Sequence, residues 1–393
     1  MYEEDFSIKI LDDDYNLVSL ISYSALEWDR EFNSVGKFIV EGVAGNFDRE
    51  AWKYVYTEKR KELGKISQVN WKSENGIKTL TISGFFVEDE LNKMICYAKP
   101  TDFDDNAGTH AGTSILSKDS PTWVTAEGTA DQVAKAFFDG FKQISFRNYE
   151  VGDFSGAGGL VTKTFELPIE FGVIEPGDYH YSIHNRNNEY LGDKLYDILK
   201  ESHASIEVAF DYIKRTKTLN IIHGIDRTQD GHADDINPIL FTSKNGTIRR
   251  ASIVTSDADT KDAMIQTSED ETKTVVLANA LPDSTGRFYH EAVRSNESDF
   301  PDDDKGFKLS VMADASTNLN GRKDKINVQF DFVLGSYKYM EDFDLGDIIS
   351  IEVPEVGISA DAQIVSCHEI IKDGVWNLEI EVGTPILRKR GNY

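Results

Sequence analysis

Along the first hundred residues apolar and polar positions alternate with a period of two, as they do in strands buried on one face. Phe6, Ile8 and Ile10 point one way while Ser7 and Lys9 point the other. Trp52, Tyr54 and Tyr56 repeat the pattern. Asn75-Gly76 sits between a strand-like segment ending near Trp71 and another running through Leu80 and Ile82, which predicts a tight hairpin. Several short strands separated by turns predict a small barrel or sandwich. The same alternation returns at the far end: Ile326, Val328, Phe330 and Phe332, then Ile349 and Ile351, then Trp376, Leu378, Ile380 and Val382 against Asn377, Glu379 and Glu381. Asp373-Gly374 is placed to close the last hairpin.

The middle reads differently. Asp102-Phe103-Asp104-Asp105-Asn106 opens a polar stretch rich in Gly, Thr and Ser that continues to about Pro121, a boundary loop. Thr129 is placed to cap a helix in which Val133, Ala134, Phe137, Phe138 and Phe141 fall at helical spacing, with Gly140 weakening the last turn. Gly152 to Gly159 is a second flexible segment. From Leu191 to Ser202, Leu195, Ile198 and Leu199 form one apolar stripe, and Asp193 in the first turn suits the helix dipole. Two strand-like runs follow, Ile206 to Phe210 and Leu219 to Ile222, separated by Lys214-Arg215-Thr216-Lys217, so a helix is expected to pack on a hairpin. Residues 240–300 are strand-like but broken by Asn245-Gly246, Pro282-Asp283 and acidic residues reaching Asp302-Asp303-Asp304. The predicted fold is mainly β with α+β insertions: an N-terminal β-barrel-like domain over 1–100, an α+β insertion over 101–240, a β-rich connection over 241–304 and a C-terminal β-barrel-like domain over 305–393. No repeat of 20 to 50 residues is visible.

Length agrees with this division, since 393 residues correspond to about two to three domains. With 22 Phe and 16 Tyr the chain is too rich in core formers to be disordered. Its 68 acidic residues against 42 basic ones leave a formal charge of −26, so duplex nucleic acid meets repulsion, and specific nucleic-acid binding is not expected. The two cysteines, Cys96 and Cys367, stand in no metal-ligand spacing and read as buried thiols. No run of about 18 apolar residues occurs, and the start is acidic where a secretory signal is basic. The expectation is a chain made in the cytoplasm without a membrane span.

Candidate chemistry is thin. Gly156-x-Gly158-Gly159 has Val161 where a dinucleotide fingerprint needs its third glycine, and neither a phosphate-binding loop nor a nucleophile elbow is present. His180 and His184 have the spacing of a zinc helix, but Tyr181 replaces the glutamate and Pro176-Gly177 opposes a helix. His223 and His368 lie within strand-like runs, where a structural role is expected. Asp257-x-Asp259-x-x-Asp262, Asp102 to Asp105 and Asp302 to Asp304 offer oxygens to calcium, yet none matches a twelve-residue calcium loop, and they read as solvated acidic loops. Asp226-Arg227 reads as a strand-end turn with local ion pairing. No set of nucleophile, base and orienter emerges, so neither catalysis nor a cofactor is expected. The aromatics Trp52, Tyr54, Trp123 and Tyr190 motivate a second reading, a carbohydrate-binding β protein, and the aspartate clusters a third, a hydrolase with a dispersed acidic site.

Four segments taken in order carry a resemblance. Leu26-Glu27-Trp28-Asp29-Arg30-Glu31-Phe32-Asn33-Ser34-Val35-Gly36-Lys37-Phe38 places an aromatic residue and an Arg on one strand and a Gly and Phe at the start of the next. Ile82-Ser83-Gly84 with Leu91, Gly224-Ile225-Asp226-Arg227-Thr228 with Asn237-Pro238 and Phe241, and Leu345-Gly346-Asp347-Ile348-Ile349 with Gly357-Ile358 and Gly383 follow. In this order and spacing the chain resembles the ReqiPepy-type (Gp37-like) siphovirus tail proteins, which are related to phage baseplate hubs. The resemblance implies two β-barrel-like domains with α+β insertions and a homotrimer that closes the tail tube, matching a sixfold tube to a threefold tip. It implies as partners the distal tail or tube protein, the tape-measure protein and a tip or receptor-binding protein. It also implies a place in the virion after assembly in the host cytoplasm, with DNA passing a channel it does not bind. Trp28, Arg30 and Phe38, with Gly346, Asp347 and Ile349, are then the expected ring interface. No lytic or host-binding domain is expected after the last barrel motif, and the basic Arg388-Lys389-Arg390 is expected either to dock on an acidic neighbour or to stay solvated.

Overall fold

The computed structural model describes residues 6–43, 47–74, 77–96, 125–150, 160–174, 181–184, 189–200, 202–256, 260–267, 274–278, 281–295, 319, 325–333 and 337–383. Seven strands fill the N-terminal region: β1 (Ile8–Leu11), β2 (Leu17–Ile21), β3 (Ala25–Glu31), β4 (Lys37–Glu41), β5 (Tyr54–Tyr56), β6 (Gly64–Glu74) and β7 (Ile77–Phe86). They belong to a 13-stranded sheet whose path runs from Ile248–Ser256 through Lys325–Phe332, Val375–Val382 and Ile358–Lys372 to β3, β4, β7, β6, β5, β1 and β2. Leu240–Thr242 and Ile348–Val353 branch from it. The chain is mainly β, as expected. Among the described residues the sheets are open paths and do not close into barrels.

The pairing of β3 with Ile358–Lys372 joins the two ends of the chain. Leu26 faces Ile371, Trp28 faces Glu369 and Arg30 faces Cys367 in antiparallel register. One apolar core therefore draws on both ends, with Ile8, Trp28, Phe38, Val40 and Ile82 packed in the same cluster as Phe241, Phe330, Ile349, Ile364 and Ile380. In Val375–Val382 the alternation is clean: Trp376, Leu378, Ile380 and Val382 are buried and the residues between them are not. The hairpin before it turns on Asp373 (φ 51°) and Gly374 (φ 75°), the double positive φ of a tight two-residue turn. The Asn75-Gly76 turn lies outside the described residues, but Glu74 pairs with Ile77 on either side of it. Tyr54–Tyr56 departs from its one-faced pattern, since Val55 between the tyrosines is also buried. The extra cover comes from a second core, to which Tyr54 and Tyr56 belong.

That second core is the α+β module. Helix α1 (Ala130–Phe141) begins at Thr129, whose hydroxyl accepts from the Gln132 amide while the Gln132 side chain accepts from the Thr129 amide, a complete capping box. Helix α2 (Leu191–Lys200) buries Leu195, Ile198 and Leu199 as their spacing requires. Both helices share a core with the hairpin Ala204–Asp211 and Thr216–His223, which turns at Arg215 (φ 57°), and with Leu11, Leu63, Val87 and Leu91 of the N-terminal region. A small sheet of Ala263–Thr267, Thr274–Ala278 and Glu291–Ser295 stands apart, with Met264 and Leu319 as its buried centre.

Candidate functional site

Two of the four segments that carry the resemblance meet at one carboxylate. The Asp347 side chain is buried and accepts from the Ile225 amide at 2.8 Å, from Arg227 Nε at 2.7 Å and from the Asp344 amide at 3.0 Å. Gly224–Thr228 and Leu345–Ile349 are thereby tied together, and the backbone joins in: the Arg227 amide donates to the Ile348 carbonyl and the Ile348 amide to the Ile225 carbonyl. The closeness explains the glycines. A Cβ on Gly224 would stand 1.7 Å from the Gly346 carbonyl oxygen, and Gly346 itself has φ +92° with the Phe32 ring against it. Asp226 accepts from the amide and hydroxyl of Thr228, the strand-end turn its position predicts, but Arg227 forms its ion pair with the distant Asp347 and not the local one expected.

Beside this junction Arg30 is buried among opposite charges. Its Nε donates to Glu62 at 2.6 Å and its Nη1 to Asp344 at 2.6 Å and to the Tyr339 hydroxyl at 2.8 Å, with Glu207 3.7 Å from Nη2. Burial opposes the guanidinium charge, but Glu62, Tyr339 and Asp344 outweigh it and the pKa is raised. A second buried arginine, Arg60, forks onto Glu369, with its Nε 2.7 Å from Oε1, while Trp376 Nε1 donates to the same carboxylate at 3.0 Å. The Arg60 guanidinium lies over the rings of Phe6 at 4.5 Å and Tyr339 at 5.5 Å. The two networks connect residues about 309 positions apart, fastening the N-terminal strands to the C-terminal ones. Losing one partner of such a buried pair costs about 3–5 kcal/mol.

Not every polar atom here is satisfied. Trp28 Nε1, Glu62 Oε2 and Glu88 Oε2 are buried without a hydrogen-bond partner. Glu88 accepts from the Val208 amide at 2.8 Å through its other oxygen, and burial pushes its pKa up to about 8. Glu88 and Glu207 face one another's charge near Glu62, and the Glu207 pKa is raised by burial as well.

The six residues expected at a ring interface converge on this region, but in the interior. Trp28, Phe38 and Ile349 are fully buried, Arg30 and Asp347 nearly so, and Gly346 is closed off by Phe32. Their side chains therefore have no surface to give a neighbouring protomer, against the expectation of a ring interface, because the C-terminal strands cover them. The histidines are held as expected, His223 by Asp131 at 2.9 Å and His368 by Asp29. His184 lies on the strand Tyr181–His184, not on a helix. Trp52 and Tyr54 are buried, which removes them as sugar platforms, whereas Tyr190 is half exposed. Among the described residues no group of three His, Cys, Asp or Glu is arranged to hold a metal, and no helix is long and apolar enough to cross a membrane. Asp262 accepts from the His290 amide. The other acidic-cluster residues, together with Gly152 to Gly159, His180, Trp123 and the Arg388 cluster, lie outside the described residues.

The chain superposes on the crystal structure of a tail protein from Neisseria meningitidis MC58 with a TM-score of 0.55 at 10% identity, covering 96% of each chain. It superposes on the 43 kDa tail protein of prophage MuSo2 from Shewanella oneidensis with a TM-score of 0.58 at 10% identity, covering 96% of this chain and 98% of that one. At this identity the likeness is one of fold. Residues 181–384, just over half of the chain, match the family of Siphovirus ReqiPepy6 Gp37-like proteins, and the chain belongs to that family. No curated protein matches it.

Proposed function

We propose that this chain is a structural hub of a phage tail tip or baseplate, closing the tail tube as a homotrimeric ring and linking it to the tip or receptor-binding apparatus. Family membership and a tail-protein fold over nearly the whole chain support a tail component. The observation that carries the finer reading is the end-to-end fastening. β3 pairs with Ile358–Lys372, and Arg30 and Arg60 clamp the N-terminal strands to Asp344 and Glu369. A ring that holds a tube shut needs protomers that do not open between their halves, and buried charge pairs of this kind fix register at the cost of desolvation. In the ring, Trp28, Arg30, Phe38, Gly346, Asp347 and Ile349 set the frame, while outward-facing residues of the same strands meet the distal tail or tube protein, the tape-measure protein and the tip. The formal charge of −26 keeps passing DNA from adhering. Function is mechanical, without a cofactor. Light scattering after size exclusion tests the oligomer: a protomer of 44.2 kDa gives a trimer of about 133 kDa, and a stable dimer or tetramer overturns the threefold ring.

A further inference from the structure

Two of the buried oxygens without a hydrogen-bond partner, Glu62 Oε2 and Glu88 Oε2, belong to residues that line one narrow cavity. Glu62 is 4% exposed and Glu88 5%. The other oxygen of each is committed, Glu62 Oε1 to Arg30 Nε at 2.6 Å and Glu88 Oε1 to the Val208 amide at 2.8 Å. Leaving a buried acceptor unbonded is costly, and two such acceptors on the wall of one cavity call for a donor between them. The cavity measures about 20 Å³, against the roughly 10–15 Å³ that one water molecule needs, so it has no room for a larger ligand. Ser34 and Tyr196 add hydroxyl groups to the wall, and a polar cavity of this kind is wet where an apolar one stays dry. Among the described residues no three carboxylates are arranged to hold a metal ion, which leaves water as the donor.

The charges around the cavity place a proton as well. Four glutamates stand in its wall, Glu31, Glu62, Glu88 and Glu207, and Arg30 is the one cation among the described residues there. Arg30 is shared between Glu62, Asp344 and, at 3.7 Å, Glu207. Lys61 reaches Glu207 at 3.4 Å from the solvent side, and Glu31 accepts from the Ser366 hydroxyl at 3.0 Å. Glu88 has the Val208 amide and no lysine or arginine among the described residues, while the charges of Glu62 and Glu207 oppose its own. Four carboxylates facing one guanidinium in a buried site do not all stay ionised, and the one without a cation protonates first. The Glu88 pKa, pushed up to about 8 by burial, agrees with this placement.

We propose that the cavity binds one water molecule, which accepts from the protonated carboxyl of Glu88 and donates to the Glu62 carboxylate. The water joins the two cores of the protein. Glu62 belongs through Arg30 and Asp344 to the clamp between the chain's ends, and Glu88 belongs through Val208 to the hairpin of the α+β module.

A crystal structure of the full-length chain at about pH 6, below the Glu88 pKa, tests the water, and infrared spectroscopy at the same pH tests the proton. The expected density is a single water about 2.5–3.0 Å from both Glu62 Oε2 and Glu88 Oε2. The expected spectrum contains the carbonyl band of a protonated carboxyl that is lost in Glu88→Gln, whose amide oxygen keeps the Val208 bond and whose NH₂ donates to the same water. Direct contact between the two carboxyl groups with no water between them, or a metal ion in the density, overturns the water site. Carboxyl bands unchanged by Glu88→Gln put the proton on another glutamate and overturn the bridge as drawn.

Discussion

Replacing Asp347 by alanine tests whether Gly224–Thr228 and Leu345–Ile349 are held together by one carboxylate. The substitution removes acceptors for the Ile225 amide, the Asp344 amide and Arg227 Nε, and it leaves two backbone donors and a guanidinium without their partner in a site that is 4% exposed. An unsatisfied buried donor costs about 1–3 kcal/mol and an orphaned charge about 3–5 kcal/mol, but the three act as a unit, so roughly 3–5 kcal/mol is the expected total. An unfolding entropy of about 2.1 cal/mol/K per residue, taken over the whole chain, gives roughly 0.8 kcal/mol/K, so the melting temperature falls by about 4–6 °C. Arg227→Met is the control, because it takes away the ion pair while the carboxylate keeps both amides. It is expected to lose less than Asp347→Ala, because the buried carboxylate keeps its two amide donors. Differential scanning calorimetry of the parent and the two variants reads this out. An Asp347→Ala protein melting within a degree of the parent, or no lower than Arg227→Met, refutes the reasoning.

Glu88 makes the fold sensitive to pH. Its folded pKa of about 8 lies above the ordinary 4.5, so the folded state binds the extra proton; that stability is fully present below about pH 4.5 and is lost as pH rises through about 8. Glu88→Gln is expected to flatten this slope and to gain up to roughly 5 kcal/mol at pH 8, and chemical denaturation across the range that shows parallel curves for parent and variant contradicts it. His223 has its pKa raised above 6.5 by the hydrogen bond its ring N–H donates to the Asp131 carboxylate, so an NMR titration of Asp131→Asn is expected to bring the midpoint down, and an unmoved midpoint denies the pairing. Cys367 is buried and burial pushes its thiol pKa up, so iodoacetamide is expected to leave the Cys367 peptide unlabelled at mildly alkaline pH until guanidinium unfolds the chain; rapid labelling of the native protein contradicts the core placement.

The elements were legible where burial is one-sided. Val375–Val382 alternates because one face meets the core and the other meets water, and α1 carries its cap and its apolar stripe in Thr129, Val133, Phe137 and Phe141. What the sequence concealed was long-range. Nothing local says that Arg60 will fork onto Glu369 or that β3 will pair with Ile358–Lys372, since those partners are some 309 positions apart or more. One signal was available: Leu26, Trp28, Arg30 and Phe32 share a face by period two, so Arg30 stands in an apolar row, and a charge there requires buried partners. Glu369 stands likewise between Cys367 and Ile371. Trp28 and Phe38 read as strand residues of a motif, and their complete burial follows only once the C-terminal strands cover them. Trp52 joins that core, while the α+β module covers Tyr54, so neither is a surface platform.

The central claim is that this chain forms the threefold ring of a tail tip, and counting copies in the particle tests it most directly. Quantitative mass spectrometry of purified tails against an isotope-labelled standard of this chain is expected to give three copies per tail. Six copies, or none, contradicts the account.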